Sequence, residues 1–188
     1  ESSYFMTDSL SDDALVAQAQ GDVEAFTMLY QRHLIRVYRY LRSRVQSDAE
    51  AEDLTSQTFI AVLENLDSYQ QGGTFIAWVL RIAHNKWIDA YRRNKPIISI
   101  DDLSEKAINQ QTPETVIQQK LQLEDVQTAI EQLNPEWAEP LRLRLFAELT
   151  YAEIGEVTGK SEGAIRTMLW RAVKALRAYL NQQHENVS

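Results

Sequence analysis

The sequence predicts an all-α protein of two small helical domains joined by a flexible linker, the C-terminal one containing a helix-turn-helix. Three observations carry this expectation. Apolar residues recur at three-to-four spacing through most of the chain, the period of amphipathic helices. With 6 glycines and 4 prolines in 188 residues, little of the turn chemistry that a strand-rich fold needs is available. The stretch Leu149–Leu180 reads as a short helix, a glycine turn and a longer helix with a cationic face, the layout of a DNA-reading helix-turn-helix. A hydrophobic content of 44% is enough to pack a core, and the length suits one ordinary domain or two small ones.

The first helix opens at Ser11, a cap followed by Asp12 and Asp13 at the positive helix end, with Leu10 and Leu15 placed for a hydrophobic staple. Gly21-Asp22 breaks the chain. A long helix to about Val45 follows, with core positions Val23, Phe26, Leu29, Tyr30, Leu34, Val37, Tyr38 and Leu41. Arg32, Arg36 and Arg39 lie along its outer side, either as a solvated face or as a stripe facing phosphate or a partner. Ser47 and Glu50 have capping-box spacing. The helix they start runs to about Leu66; its first half is acidic and could offer an anionic docking face, and its second half is apolar (Phe59, Ile60, Val62, Leu63, Leu66).

A polar loop, Asp67 to Gly73, precedes a helix capped by Thr74. At 100° per residue, Ile76, Val79, Leu80, Ala83, Trp87, Ala90 and Tyr91 form its buried side, while Trp78, Arg81, Asn85, Ile88, Asp89 and Arg92 face outward, flanked by Lys86 and Arg93. Arginine and asparagine read base edges in pairs of hydrogen bonds, and aromatic rings beside cations stack unpaired bases. The ordinary alternative is a tryptophan at a helix–helix contact beside a solvated basic end. Lys95-Pro96 ends the helix, and the aperiodic, polar run that follows reads as a linker with apolar anchors at Ile97, Ile98 and Ile100. Thr112-Pro113 starts another helix, which runs to Asn134-Pro135, and Pro140 is expected to kink the next one or mark its start. In the helix-turn-helix, Thr150 and Glu153 form a capping box, Gly159 turns the chain, and Ser161 caps the last helix. That helix buries Ile165, Met168, Leu169, Ala172, Val173, Leu176 and Leu180, and presents Glu162, Arg166, Thr167, Trp170, Arg171, Lys174 and Arg177. The ordinary alternative here is a helical hairpin with a solvated cationic face.

The net charge of −8 is wrong for a simple nucleic-acid binder. Its distribution is more informative: Arg81–Lys95 and Lys160–Arg177 each hold five cations and one anion, so the remainder carries −16. An acidic body lowers non-specific DNA affinity, because phosphate neutralisation dominates that term. The chain has no cysteine, which excludes disulfides, thiolate metal sites and cysteine nucleophiles, and His33, His84 and His184 form no ligand pair. No metal, no cofactor and no catalytic residue is expected; carboxylates are many, but none is paired with a ligand histidine or a phosphate-cradling loop. No apolar run approaches the roughly 20 residues of a membrane span, so no membrane insertion is expected and the cytoplasm is the default location.

Four segments, in this order and spacing, resemble bacterial sigma factors of the extracytoplasmic-function (ECF) type, within the sigma-70 family. They are AEDLTSQTFIAVLENL, FIAWVLRIAHNKWIDAYRR, LNPEWAEPLRLRLFAELTYAEIG and KSEGAIRTMLWRAVKALR, and the likeness covers about residues 11 to 180. The resemblance implies a transcription initiation factor, not an enzyme, with core RNA polymerase, promoter DNA and an anti-sigma factor as partners. It implies that the first of the two domains, read here as 8–95, is a region 2 domain that docks on polymerase and opens the minus-ten element, and that the second, 113–183 beyond the linker 96–112, is a region 4 domain that reads the minus-thirty-five element. Asp53, Ser56, Gln57 and Phe59 would fall on the polymerase-docking motif. Trp78, Arg81, Asn85, Lys86, Asp89, Arg92 and Arg93 would fall on the minus-ten-reading helix, and Ser68, Tyr69, Gln70, Gln71, Gly72 and Gly73 on the loop that pockets a flipped base. Lys160, Ser161, Glu162, Arg166, Thr167, Trp170, Arg171 and Lys174 would fall on the minus-thirty-five reader. Ser56-Gln57 departs from the family's usual Gln-Glu, Gly155 stands where alanine is common, Ala164 replaces a common threonine, and Thr158 and Lys160 replace apolar residues around the turn glycine. A stand-alone helix-turn-helix regulator is the alternative, although no separate dimerisation helix with heptads is present.

Overall fold

A computed structural model describes residues 10–69, 72–94 and 126–187. Among them every regular element is helical: α1 (Asp12–Ala19), α2 (Val23–Arg42), α3 (Asp48–Glu64), a 3-10 turn (Leu66–Ser68), α4 (Phe75–Asn94), a helical stretch α5 at 126–131, α6 (Pro135–Leu145), α7 (Tyr151–Thr158) and α8 (Glu162–Val187). The expected linker at 96–112, the start of the helix after Thr112, and Gln70 and Gln71 lie outside the described residues.

In the first unit α1 and α3 pack on α2, and α4 closes against α2 and α3. The reason is a stripe on α2: Leu29, His33, Val37, Tyr40 and Leu41 are buried at helical spacing. Ser11 accepts from the Ala14 amide at 3.2 Å and sets where α1 begins. Asp12 then ties α1 to α2, with one carboxylate oxygen 2.7 Å from Arg32 and the other 2.8 Å from His33 Nε2. Burial alone would raise the Asp12 pKa, but its bonds to His33 and Arg32 hold it below the usual carboxylate value.

The second unit is a three-way contact of α6, α7 and α8. Asn134 accepts from the Glu136 amide at 2.9 Å, and Pro135 occupies the first turn, where a missing N–H costs nothing. Pro140 neither starts nor ends α6: it is buried inside the helix, in which its ring forfeits one hydrogen bond to Glu136. Thr150 and Glu153 make both halves of a capping box, at 3.2 and 2.7 Å. At Ser47, by contrast, the hydroxyl accepts from the Glu50 amide at 3.2 Å, one half of such a box. Gly159 ends α7 in the left-handed region at φ 70°, where glycine carries no Cβ penalty. Ser161 accepts from the Ala164 amide at 3.3 Å and starts α8. One contiguous apolar cluster runs from Leu15 through the first unit to Ile154, Ile165 and Ala172 in the second.

Candidate nucleic-acid interface

The helix-turn-helix exposes the residues that the sequence places on its outer face. Lys160, Ser161, Glu162, Arg166, Thr167, Trp170, Arg171 and Lys174 are all exposed, while Ile165, Leu169 and Ala172 anchor α8 from below. Two contacts organise this face. Glu162 accepts from Arg166 at 3.0 Å across one helical turn, and the Arg166 guanidinium also lies 5.5 Å from the Tyr151 ring centre. The Lys174 ammonium lies 5.2 Å from the ring of Trp170, which is 66% exposed. Beside them runs a cleft of about 630 Å³ whose lining includes Tyr151, Trp170 and four cations, Arg144, Arg166, Lys174 and Arg177. The sequence did not point to Arg144. It reaches the cleft from α6, bonding the Leu149 carbonyl at 2.7 Å and lying over Tyr151.

The second cationic face, on α4, is more divided. Asn85, Asp89, Arg92 and Arg93 are exposed and Lys86 is half-buried. Trp78 does not stand on that outer face. It is half-buried against Tyr69 and Phe75, with ring centres 5.3 and 5.8 Å away, because α4 is contacted from more than one side. Tyr91, expected in the core, is 45% exposed and stacks on Trp87 at 5.6 Å. Arg44 lies 4.2 Å from the Trp87 ring centre. Arg81 is turned toward the second unit, its guanidinium bonding the Glu156 backbone carbonyl.

Of the loop before α4, Ser68, Gly72 and Gly73 are exposed. Tyr69 is turned inward, 3.1 Å from the Asp13 carboxylate and 3.0 Å from the Gly73 carbonyl. Burial, and then the Asp13 charge, push its pKa up to about 12, so the phenol keeps its proton and donates.

On α3, Asp53 and Ser56 are exposed, and Gln57 donates to Asp53 at 2.7 Å. Phe59 is a correction to the expected docking face. It is 5% exposed, packed edge-on against Tyr30 at 4.8 Å, and serves the core. The apolar surface there belongs to Ile60 and Leu63, 57% and 52% exposed. Among the described residues no group of acids and histidines is placed to hold a metal, and no helix is long and apolar enough to cross a membrane.

Comparison with known proteins adds an independent finding. A family model described as Sigma-70 region 2 matches residues 29–97, and one described as Sigma-70, region 4 matches residues 123–176. The ECF RNA polymerase sigma factor BldN of Streptomyces coelicolor is 35% identical over 178 residues, which is 93% of this chain and 67% of that protein. The RNA polymerase sigma factor CarQ of Myxococcus xanthus is 30% identical over 162 residues, 86% of this chain and 92% of its own. Among solved structures, CnrH in complex with the cytosolic domain of CnrY superposes with a TM-score of 0.71 at 26% identity, over 91% of this chain and 97% of CnrH. The chain thus spans about two thirds of BldN and nearly all of CarQ and CnrH.

Proposed function

Because the chain belongs to the ECF group of sigma-70 family RNA polymerase sigma factors, we propose that it docks on core RNA polymerase and directs promoter-specific transcription initiation. The observation that carries this reading is the placement of two exposed cationic faces, on α4 and α8, in two helical units of an otherwise acidic chain. An acidic body binds DNA weakly alone. Attachment to polymerase makes each promoter contact effectively intramolecular and supplies the missing affinity.

In this reading the domains run 8–95 and 113–183, joined by the linker 96–112. Asn85, Asp89, Arg92 and Arg93 meet the minus-ten element, and Lys86 and Arg81 flank them. Ser68 to Gly73 line the pocket for a flipped base, whose unstacking costs a few kcal/mol and is offset by pocket contacts. Glu162, Arg166, Thr167, Trp170, Arg171 and Lys174 read the minus-thirty-five element. Asp53, Ser56 and Gln57 dock on polymerase together with Ile60 and Leu63. No reacting group is needed: the protein acts as a non-catalytic, bacterial, cytoplasmic initiation factor. That CnrH was solved in complex with the cytosolic domain of a second protein supports control by a protein partner, in this reading an anti-sigma factor that covers the polymerase and DNA faces.

Run-off transcription tests the proposal. Added to core polymerase, the protein should yield transcripts of defined start from a cognate promoter found in a random promoter library. No specific initiation above core polymerase alone would overturn it.

A further inference from the structure

Tyr69 and Asp13 lie 56 positions apart, and one hydroxyl joins them to the loop before α4. The Tyr69 hydroxyl is 3.1 Å from an Asp13 carboxylate oxygen and 3.0 Å from the Gly73 carbonyl oxygen. Both partners only accept, so the single phenolic hydrogen is shared between them. The Tyr69 ring is committed to the core. It stands edge-on to Phe75 and tilted against Trp78, with ring centres 5.5 and 5.3 Å away, and Phe75 is buried.

Asp13 is in turn a fixed point. It occupies the first turn of α1, where a carboxylate suits the positive helix end. The adjacent Asp12 ties that turn to α2 through Arg32 and His33, and Arg32 also donates to the Leu10 carbonyl at 2.9 Å. Leu15, two positions on, is fully buried. The bond to Asp13 therefore reaches a carboxylate whose backbone the core holds, while the bond to Gly73 reaches the far side of the loop. Gly72 and Gly73 bring no side chain to stiffen the returning chain, so its position depends on contacts to its backbone.

We propose that Tyr69 is a positioning residue for the flipped base: its hydroxyl, braced on Asp13, holds the two sides of the loop at the separation that a base extruded from the minus-ten element needs. The inference rests on the sigma-factor reading and deepens it. Tyr69 moves from the set of base contacts to the frame behind them, and α1 acquires a part in promoter opening. The advantage is preorganisation. Unstacking a base is costly, and a pocket that had to order itself on binding would add lost conformational freedom to that cost. A phenylalanine in this place keeps both ring contacts and loses only the bond, which separates the hydroxyl from the packing.

The test uses holoenzyme reconstituted from the full chain and core polymerase. Its affinity is measured for a single strand carrying the minus-ten element of a cognate promoter, and for the same strand with an abasic site at each position in turn. In the wild type one position should lose affinity most, which marks the flipped base. Tyr69→Phe should bind the intact strand about threefold to tenfold more weakly, the range of one net hydrogen bond. Its loss at the marked position should shrink by the same factor while the other positions keep theirs, because only the pocket has been loosened. Asp13→Ala should reproduce this profile, and Asp13→Asn, which retains an acceptor oxygen, should return it toward the wild type. Unchanged affinity in Tyr69→Phe overturns the proposal. Weaker binding in which the marked position keeps its full loss also overturns it, since a general structural defect weakens every strand alike. Should Asp13→Ala fail to fold, Tyr69→Phe and Asp13→Asn decide. A wild-type scan with no sensitive position would remove the flipped-base reading and this proposal together, whereas a sensitive position that Tyr69→Phe leaves intact removes the proposal alone.

Discussion

The carbonyl oxygen of Lys160 occupies the space that a side chain on Gly155 would need: a Cβ built there would stand 2.6 Å from it. The same pair closes the helix-turn-helix, the Lys160 amide donating to the Gly155 carbonyl at 3.1 Å. Alanine, the more usual residue at this position, therefore does not fit this turn. In α7 the exchange would gain up to about 1 kcal/mol of helix propensity. Against that stands the cost of overpacking, typically about 1–3 kcal/mol. The obstructing atom is backbone, fixed by Gly159 at φ 70°, and cannot step aside as a side chain would. Gly155→Ala should thus be destabilising overall. Thermal unfolding followed by circular dichroism checks this, and a raised midpoint would show that the turn can relax.

His84 should make stability depend on pH. Burial, and then the nearby Arg44 charge, lower its pKa to about 4 from an ordinary 6.5. Glu139 lies 3.5 Å from His84 Nδ1 and would oppose this, but its charge is already matched by Arg44. Tyr40 explains how the neutral ring is held. Its hydroxyl donates to Glu139 at 2.6 Å, so it must accept at 3.0 Å from a protonated Nδ1, and from Arg44 at 3.1 Å as well. Between about pH 6.5 and 4 the unfolded chain binds a proton at His84 that the folded chain refuses, so stability should fall as pH drops through that window. Denaturant unfolding of wild type and His84→Gln at pH 7.5, 6 and 5 measures it. The acid-side loss should shrink in the variant, and an imidazole that titrates near 6.5 by NMR in the folded protein would refute the idea.

The parts of the fold legible in the sequence are those whose causes are local. Ser11, Ser47, Thr150, Gly159 and Ser161 act on amides within a few residues of themselves, so spacing alone identifies them. Which residues α8 exposes was equally legible, because Ile165, Leu169 and Ala172 recur at helical spacing on its buried side. Helices packed on two sides defeat a single-face wheel. Trp78 was read as facing outward and lies against Phe75, while Tyr91 went the other way; Phe59, placed on the docking motif by resemblance, lies against Tyr30. Thr74 was read as a simple cap, yet its hydroxyl donates to Glu156, 82 positions away. No local pattern encodes a partner at that distance, and Arg81 and Glu156 remained unconnected for the same reason.

The split between Phe59 and Ile60 separates folding from docking. Phe59 is buried, so Phe59→Ala should cost about 3–5 kcal/mol of stability, through lost transfer energy and the cavity left behind. Ile60 is 57% exposed, so Ile60→Asp should leave stability within about 0.5 kcal/mol. It should instead weaken binding to core polymerase, by placing a charge in an apolar contact that must be desolvated. Denaturant unfolding and fluorescence-anisotropy titration with core polymerase, run on both variants, resolve the two effects. Polymerase affinity unaffected by Ile60→Asp would remove this face of α3 from the docking surface.

Arg171 and Lys174 sit on neighbouring turns of the α8 reading face and should do different work. A guanidinium can engage a base edge with two parallel hydrogen bonds, whereas an ammonium is a point charge suited to phosphate. Lys174 moreover already lies over the Trp170 ring, at 5.2 Å from its centre. In holoenzyme–promoter binding, Arg171→Ala should cost about 1–3 kcal/mol on the cognate sequence and relax the preference at one position of the minus-thirty-five element. Lys174→Ala should weaken binding almost equally on all sequences and reduce the slope of log affinity against log salt by about one unit. Titrations on a panel of single-base promoter variants at several salt concentrations distinguish the two. If Arg171→Ala lowered affinity uniformly and changed the salt slope, Arg171 would be a phosphate contact and sequence reading would fall to Arg166 and Glu162, the pair already oriented across one turn of α8.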